Sequence, residues 1–214
     1  MDLVDERDSV VGASTLGDCV KRGLLHRAVA VVVSRSDGRV LLQQRSRRDL
    51  WQPGMWTLSC TGHVREGETY AEAAGRELAE ELGLRSSLVG LGKYLLPPMR
   101  EGGLVEREWV SLFAAPSDAP TRIDLVELES VREFDGPGLK AMMESGELTQ
   151  DGVLLLREYL RLRPRWGTLR RLITKADSAR GVDPARRDRL PPRRDLKGHR
   201  NLREGGGPET VGSR

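Results

Sequence analysis

The stretch from Gly62 to Leu84 constrains this chain more than any other part of its sequence. It reads GHVREGETYAEAAGRELAEELGL. Its fixed positions are Gly62, Glu68, Arg76, Glu77, Glu80, Glu81 and Gly83, with the aliphatic residues Leu78 and Leu84 between and after them. So many identities at fixed spacing are far more specific than a short glycine motif. We call residues 62–84 the box.

The middle of the box has the composition of a helix. Residues 69–82 contain no proline and are rich in Ala, Leu and Glu, and Gly83 stands where a helix would be capped. At about 100° per residue, the apolar side chains share one side of such a helix, and Glu77, Glu80 and Glu81 share a flank. The sequence therefore predicts a helix over residues 69–82 that carries three carboxylates on one surface.

These carboxylates need a counter-charge. Glu77 and Glu81 form an i,i+4 pair of like charge, and Glu80 and Glu81 lie in the last turn, where the helix dipole disfavours anions. A merely solvated acidic face would leave this repulsion in place. Mg²⁺ takes oxygen ligands from carboxylates and keeps water or substrate phosphate in its shell. The pattern therefore predicts a site for Mg²⁺ or Mn²⁺, with Arg76 placed to orient Glu77.

The box resembles the signature of the Nudix hydrolases at every defined position. The resemblance implies an α/β fold, an α/β/α sandwich with a mixed β-sheet, and hydrolysis of a diphosphate joined to another group, X. It also implies that Glu77 binds metal or helps to activate the attacking water, and that Arg76 and Glu81 take part in catalysis. The implied metal ligands are Glu77, Glu80, Glu81, Glu68 and the backbone carbonyl of Thr61.

A more diffuse resemblance, over roughly residues 2–160, is to the subgroup that includes type I isopentenyl diphosphate isomerase. The segments GLLHRAVAVVVSRSDGRVLLQQRS, WQPGMWTLSCTGH and LVEREWVSLFAA carry it. That isomerase holds a metal with histidines and with the two glutamates of an E-x-E sequence. The matching positions here are His26, His63, Glu106 and Glu108. The resemblance thus implies four more candidate metal ligands, and Glu108 is also a candidate base that activates water.

Other parts of the isomerase machinery are missing. With the Gly-His pairs aligned, the isomerase cysteine falls on Thr61, while Cys60 comes one residue early and turns to the opposite face of an extended strand. Cys60 is expected to be a small buried apolar residue. A further isomerase histidine falls on Cys19, and an aromatic acid falls on Leu96. The mixture favours a metal-dependent hydrolase of a nucleotide-type or related small diphosphate. Isomerisation of isopentenyl diphosphate is the alternative.

The box does not identify X. Candidates range from nucleotides and dinucleotides to prenyl diphosphates. Arg45, Trp56 and His63 are candidate substrate contacts, although Trp56 also suits a position in the core. The oligomeric state is equally open.

Charge divides the chain into two segments. Residues 161–214 carry 16 Lys and Arg against six Asp and Glu, whereas residues 1–160 carry 19 against 26. The C-terminal segment is also rich in Pro and Gly. We therefore expect a Nudix domain over residues 1–162 and a basic, disordered tail over residues 163–214. Such a tail could make weak contacts with nucleic acid or another polyanion, so a non-catalytic polyanion-binding module is a third, less favoured function.

The sequence also indicates a compartment. No apolar run approaches membrane-spanning length, and the first residues, MDLVDERDSV, are acidic, unlike a signal peptide. The two cysteines suit a reducing environment. We expect a cytoplasmic protein with no membrane partner.

Strand and helix patterns alternate through the first 162 residues, which is typical of a mixed α/β sandwich. The predicted strands are residues 28–34, 40–44, 56–59, 88–96, 106–114 and 131–134. The predicted helices, besides the box helix, are residues 139–144 and 150–162.

Overall fold

The computed structural model describes residues 1–163, so the predicted tail lies outside the described residues except for Arg163. The strands are β1 (Asp2–Val4), β2 (Val10–Ala13), β3 (His26–Ser34), β4 (Val40–Arg45), β5 (Trp56–Leu58), β6 (Cys60–His63), β7 (Val89–Leu95), β8 (Met99–Glu101), β9 (Leu104–Glu106), β10 (Glu108–Pro116) and β11 (Leu128–Phe134). The helices are α1 (Leu16–Arg22), α2 (Tyr70–Leu82), α3 (Gly136–Ser145) and α4 (residues 150–163). Among these described helices, none combines the length and the apolar character that crossing a membrane requires.

Strand β3 organises the main sheet, which has nine strands. It runs parallel to β10, with Glu108 opposite His26, and antiparallel to β6, with His63 opposite Ala28. Strand β10 also pairs with β7, and β4 pairs with β5 and β11, all antiparallel. The sheet is therefore mixed, as predicted. Strands β8 and β9 form a separate hairpin.

A helix layer covers each face of the sheet. Alternate residues of β3 point to opposite faces, as the pleat requires. Val29, Val31 and Val33 pack with α2 in one apolar core. Ala30 and Val32 pack in the other core, which includes residues of α3 and α4. This arrangement confirms the predicted α/β/α sandwich.

The box helix forms where the sequence predicts it, because both of its ends are capped. The Thr69 side chain accepts from the Glu72 backbone, and the Glu72 side chain accepts from the Thr69 backbone. At the other end, Gly83 adopts the left-handed conformation, with φ of 64°. Helix α2 therefore presents its carboxylates from a well-defined scaffold.

One predicted strand needs correction. The pattern over residues 106–114 predicts a single strand, but β9 ends at Glu106 and β10 begins at Glu108. Arg107 lies at the break, where its carbonyl accepts a hydrogen bond from the His26 backbone at 3.1 Å. The chain changes partner here, because β9 pairs with β8 and β10 pairs with β3. The sequence does not predict the short elements β1, β2, α1, β6 and β8, nor the first two residues of β9.

Candidate active site

Arg76 is the centre of the box. Its guanidinium contacts both Glu68 oxygens at 2.8 and 2.9 Å and Glu77 at 2.6 Å. It also contacts Glu80 at 3.2 Å and donates to the His63 carbonyl at 3.0 Å. One cation therefore ties α2 to β6 and fixes the direction of the Glu77 carboxylate. Glu68 is linked to Glu77 and Glu80 through their shared contact with Arg76.

Glu81 is the most deeply buried carboxylate of the box, with 6% of its surface exposed. Burial and then the charge of Glu77 raise the pKa of Glu81 to about 8. Burial also raises the pKa of Glu77, against the opposing effect of Arg76. Within residues 1–163, Glu81 Oε2 has no hydrogen-bond partner. A buried carboxylate pair of this kind is a destabilising arrangement that a bound cation would relieve.

The box glycine has a steric role. A Cβ atom at Gly62 would lie 2.2–2.5 Å from the Glu77 side chain. Only glycine therefore lets β6 approach α2 closely enough for Glu77 to lie against the strand.

A second cluster consists of His26, His63, Glu106 and Glu108, whose ligand atoms all lie within 4.8 Å of one another. Glu108 Oε1 is 3.2 Å from His63 Nε2 and 3.6 Å from His26 Nε2. Glu106 Oε2 is 3.6 Å from His26 Nε2. We call this set the His/Glu cluster. It unites four residues that the resemblance to the isomerase implies as ligands.

The orientation and burial of the side chains in the His/Glu cluster suit the binding of a cation. His26 Nδ1 donates to the Leu24 carbonyl at 2.9 Å, so its Nε2 faces the carboxylates. In the described part of the chain, neither His26 Nε2 nor Glu106 Oε2 has a hydrogen-bond partner, and both residues are buried. Burial alone would raise the pKa of Glu108, but the neighbouring imidazoles of His26 and His63 outweigh it and lower that pKa. Burial and the Glu108 charge raise the pKa of Glu106.

The box and the His/Glu cluster border one cavity of about 760 Å³. Nine residues predicted from the sequence as site residues line this cavity: Thr61, His63, Arg76, Glu77, Glu80, Glu81, Glu106, Glu108 and Arg45. His26 is not among the residues that line the cavity, but it contacts Glu106 and Glu108, which do line it.

The register of β6 separates Cys60 from Thr61. Cys60 pairs with Val31 and is buried in the core beneath α2, beside Glu81. Thr61 pairs with Ala30 and lines the cavity. The side chains thus point to opposite faces, as the sequence predicts.

Of the predicted substrate contacts Arg45 and Trp56, only Arg45 lines the cavity. Arg45 lies on the cavity wall, where it donates to the Trp51 carbonyl at 3.0 Å and pairs with Asp49 at 3.1 Å. The prediction that Trp56 contacts the substrate is wrong, because Trp56 is 5% exposed and packs edge-on against Phe134 in the core. It shares this core with Leu58, and Trp51 lines the cavity instead.

Sequence reasoning also missed several cavity residues. Gln43, Gln52, Glu127 and Asp151 all line the cavity. Burial and then the Glu108 charge raise the pKa of Asp151. No motif marks these positions, because isolated Gln, Asp and Glu residues are usually solvated.

A family model described as NUDIX domain matches residues 24–139, which is more than half of the chain. The chain belongs to the Nudix family. An uncharacterized Nudix hydrolase of Pseudomonas aeruginosa is 36% identical over 160 residues, covering 73% of this chain and 90% of the relative. An isopentenyl-diphosphate Delta-isomerase 2 of Photorhabdus laumondii is 32% identical over 143 residues, covering 67% and 81%.

Solved structures agree on the Nudix fold. A protein from Deinococcus radiodurans superposes with a TM-score of 0.62 at 27% identity, over 73% of this chain and 96% of that protein. Nudix hydrolases and isopentenyl diphosphate isomerases therefore both occur among the relatives of this Nudix enzyme, so the choice between the two reactions depends on the site.

The unusual state of Glu81 leads to a stability prediction for the metal-free protein. Folding raises the pKa of Glu81 from its ordinary value of 4.5 to about 8, so the folded protein keeps a proton that the unfolded chain loses between these values. The free energy of unfolding therefore falls as pH rises through this window, and the penalty is complete above it. Glu81→Gln removes the charge. In the presence of chelator, we expect it to raise Tm by roughly 5–10 °C at about pH 9 and little at about pH 5. Equal shifts at both pH values would contradict this account.

Proposed function

We propose that this Nudix enzyme hydrolyses a diphosphate linkage in a nucleotide-type or related small molecule, with Mg²⁺ or Mn²⁺ as the cofactor. The observation that carries the proposal is the composition of one cavity wall. The box carboxylates Glu77, Glu80 and Glu81 line it, and Thr61 lines it where the isomerase would present a thiol. Hydrolysis needs the carboxylates, whereas isomerisation needs a positioned acid.

The box residues fit a divalent cation. Glu77, Glu80 and Glu81 would hold it, with the Thr61 carbonyl as a further oxygen ligand. The partnerless oxygen of buried Glu81 supports this assignment, because a carboxylate oxygen is seldom buried without a partner. When bound, the cation would neutralise the diphosphate and lower the pKa of the attacking water.

The protein groups supply orientation and charge. Arg76 holds Glu77 by a 2.6 Å contact, so the carboxylate that binds metal or activates water has one direction. Arg45 lines the cavity and would add positive charge beside the diphosphate. Glu108, whose pKa is lowered between two histidines, stays ionised and is suited to hold a cation together with His26, His63 and Glu106.

The alternative is isopentenyl diphosphate isomerase activity. The His/Glu cluster favours it, since the isomerase resemblance implies these same positions, and several relatives are isopentenyl-diphosphate Delta-isomerases at 32–39% identity. Against it, Cys60 lies on the α2 side of the sheet and is fully buried, and burial raises the pKa of its thiol. A thiol there cannot protonate a substrate carbon in the cavity.

One reaction mixture separates the two functions. The enzyme is incubated with Mg²⁺ or Mn²⁺ and, in turn, a panel of nucleotides and isopentenyl diphosphate. Phosphorus NMR detects P–O cleavage, and proton NMR detects dimethylallyl diphosphate. We expect cleavage of at least one nucleotide-type diphosphate and no double-bond migration.

Cys60→Ala is the matched variant for this test. Because Cys60 does not reach the cavity, hydrolysis should stay within about threefold of wild type, as is usual when a buried apolar side chain is shortened slightly. Double-bond migration without P–O cleavage, lost in Cys60→Ala, would establish the isomerase instead.

A further inference from the structure

The cavity has a polar feature that hydrolysis does not use. Gln43 lines it, although only 1% of this residue is exposed. Its Nε2 lies 3.5 Å from Thr61 Oγ1, at the limit of a hydrogen bond, and its Oε1 has no partner among residues 1–163. Buried amides are normally well bonded, because an unpaired polar group in the interior is costly. This amide is therefore suited to bind a group that enters the cavity.

Asp151 belongs to the same wall. Gln43 lies opposite Thr57 in the pairing of β4 with β5. The Thr57 hydroxyl accepts from the Thr149 hydroxyl at 3.1 Å, and Thr149 Oγ1 also accepts from the Gly152 backbone at 3.1 Å. The Asp151 carboxylate lies beside Thr149, which lowers its pKa against the effect of burial. A chain of hydroxyl groups thus connects the first turn of α4 to β5 and fixes Asp151 relative to Gln43.

The approach of α4 to this wall is close. A Cβ atom at Gly152 would lie 2.6 Å from Thr149 Oγ1 and 3.4 Å from Thr57 Oγ1. Glycine is therefore required beside Asp151, and the carboxylate sits in a rigid setting. Such preorganisation is typical of groups that recognise a ligand.

Apolar side chains also line this cavity. Its lining includes Ala28, Ala30, Val110, Leu155 and Trp51. Apolar walls with a few fixed polar groups are the usual composition of a small-molecule site, in which the polar groups decide specificity.

We propose that Gln43 and Asp151 form the recognition site for X, and that they select an X with N–H or O–H hydrogen-bond donors, such as a heterocyclic base, over a hydrocarbon chain. A hydrocarbon X would cover both side chains and leave them unpaired, whereas a group with donors would satisfy them. This inference rests on the proposed function, because it concerns the X of the same diphosphate.

Binding to the full chain tests the recognition site separately from turnover. Calorimetry measures Kd for ADP, GDP, CDP and UDP and for isopentenyl diphosphate. Wild type should bind at least one nucleoside diphosphate about tenfold or more tightly than isopentenyl diphosphate. Gln43→Met keeps the length of the side chain and removes its hydrogen bonds, and Asp151→Leu removes the carboxylate. Each should reduce this preference by a factor of about 10 or more.

Two further variants separate loss of recognition from loss of folding and from nonspecific effects of substitution near Asp151. Gln150→Leu changes the exposed neighbour of Asp151 and should leave the preference unchanged. Asp151→Asn keeps the shape and adds a donor, so it should change the ranking of the four nucleotides even if Asp151→Leu folds poorly. Thermal melting of every variant reports folding.

The outcomes distinguish the two proposals. Phosphate release is measured in parallel with binding. Tight nucleotide binding that depends on Gln43 and Asp151, but without any phosphate release, would refute hydrolysis and support the recognition site. A prenyl diphosphate bound as tightly as every nucleotide, or a preference unchanged in Gln43→Met and both Asp151 variants, would overturn the recognition site whether or not hydrolysis occurs.

Discussion

We expect Glu81→Gln to lower the kcat of diphosphate hydrolysis by a factor on the order of 10² or more, and Glu80→Gln to have a comparable effect. Both carboxylates line the cavity on the last turn of α2, where a bound cation would offset their mutual repulsion. Glutamine keeps the size of the side chain and removes the charge that holds the metal. The loss should therefore appear in turnover, while the metal-free Glu81→Gln protein stays folded.

Steady-state assays across a Mg²⁺ titration measure this effect. Glu66→Gln is the matched control, because Glu66 is an exposed box residue outside the cavity lining. It should keep wild-type turnover. Chelator should abolish the activity of both wild type and Glu66→Gln, and added Mg²⁺ or Mn²⁺ should restore it. Wild-type turnover in either Glu80→Gln or Glu81→Gln would remove these residues from the metal site.

Arg76→Met should damage both stability and turnover. The Arg76 side chain is 15% exposed and contacts Glu68, Glu77 and Glu80. Its removal leaves the largely buried carboxylates of Glu68 and Glu77 without this counter-charge, which typically costs about 3–5 kcal/mol of the free energy of unfolding. The direction of Glu77 is lost as well, and we expect kcat to fall by about 10² or more. Arg76→Lys should be intermediate, because lysine cannot make the bidentate contact with Glu68.

A double variant separates the two effects. Glu68→Gln in the Arg76→Met background removes one unpaired charge, so it should recover part of the lost stability in denaturant titrations. It should not recover kcat, because Glu77 still lacks its partner. Turnover that returns together with stability would show that Arg76 acts only through the fold.

The box could be predicted because its geometry is local. In a helix, sequence separation alone determines which side chains are neighbours, so the spacing of Glu77, Glu80 and Glu81 already places them on one surface. The capping residues Thr69 and Gly83 also act within a few positions of the helix ends. For these reasons the predicted limits, residues 69–82, agree closely with α2.

The His/Glu cluster is different, because strand pairing brings it together. His26 meets Glu108 through the parallel pairing of β3 with β10, and His63 approaches through the antiparallel pairing of β3 with β6. One sequence contains no signal for the register of strands so far apart along the chain, and a shift by one residue would reverse every side chain. A family resemblance indicated these residues.

The sequence by itself determined the box helix, its cluster of carboxylates, the strands that alternate with it and the opposite orientations of Cys60 and Thr61. These follow from the periods of helix and strand, which are properties of the local backbone. Only the tertiary structure decided that Trp56 lies in the core and that Gln43 and Asp151 line the cavity. Burial depends on which elements pack together, and β4, β5 and α4 meet through contacts as distant in sequence as Thr57 and Thr149.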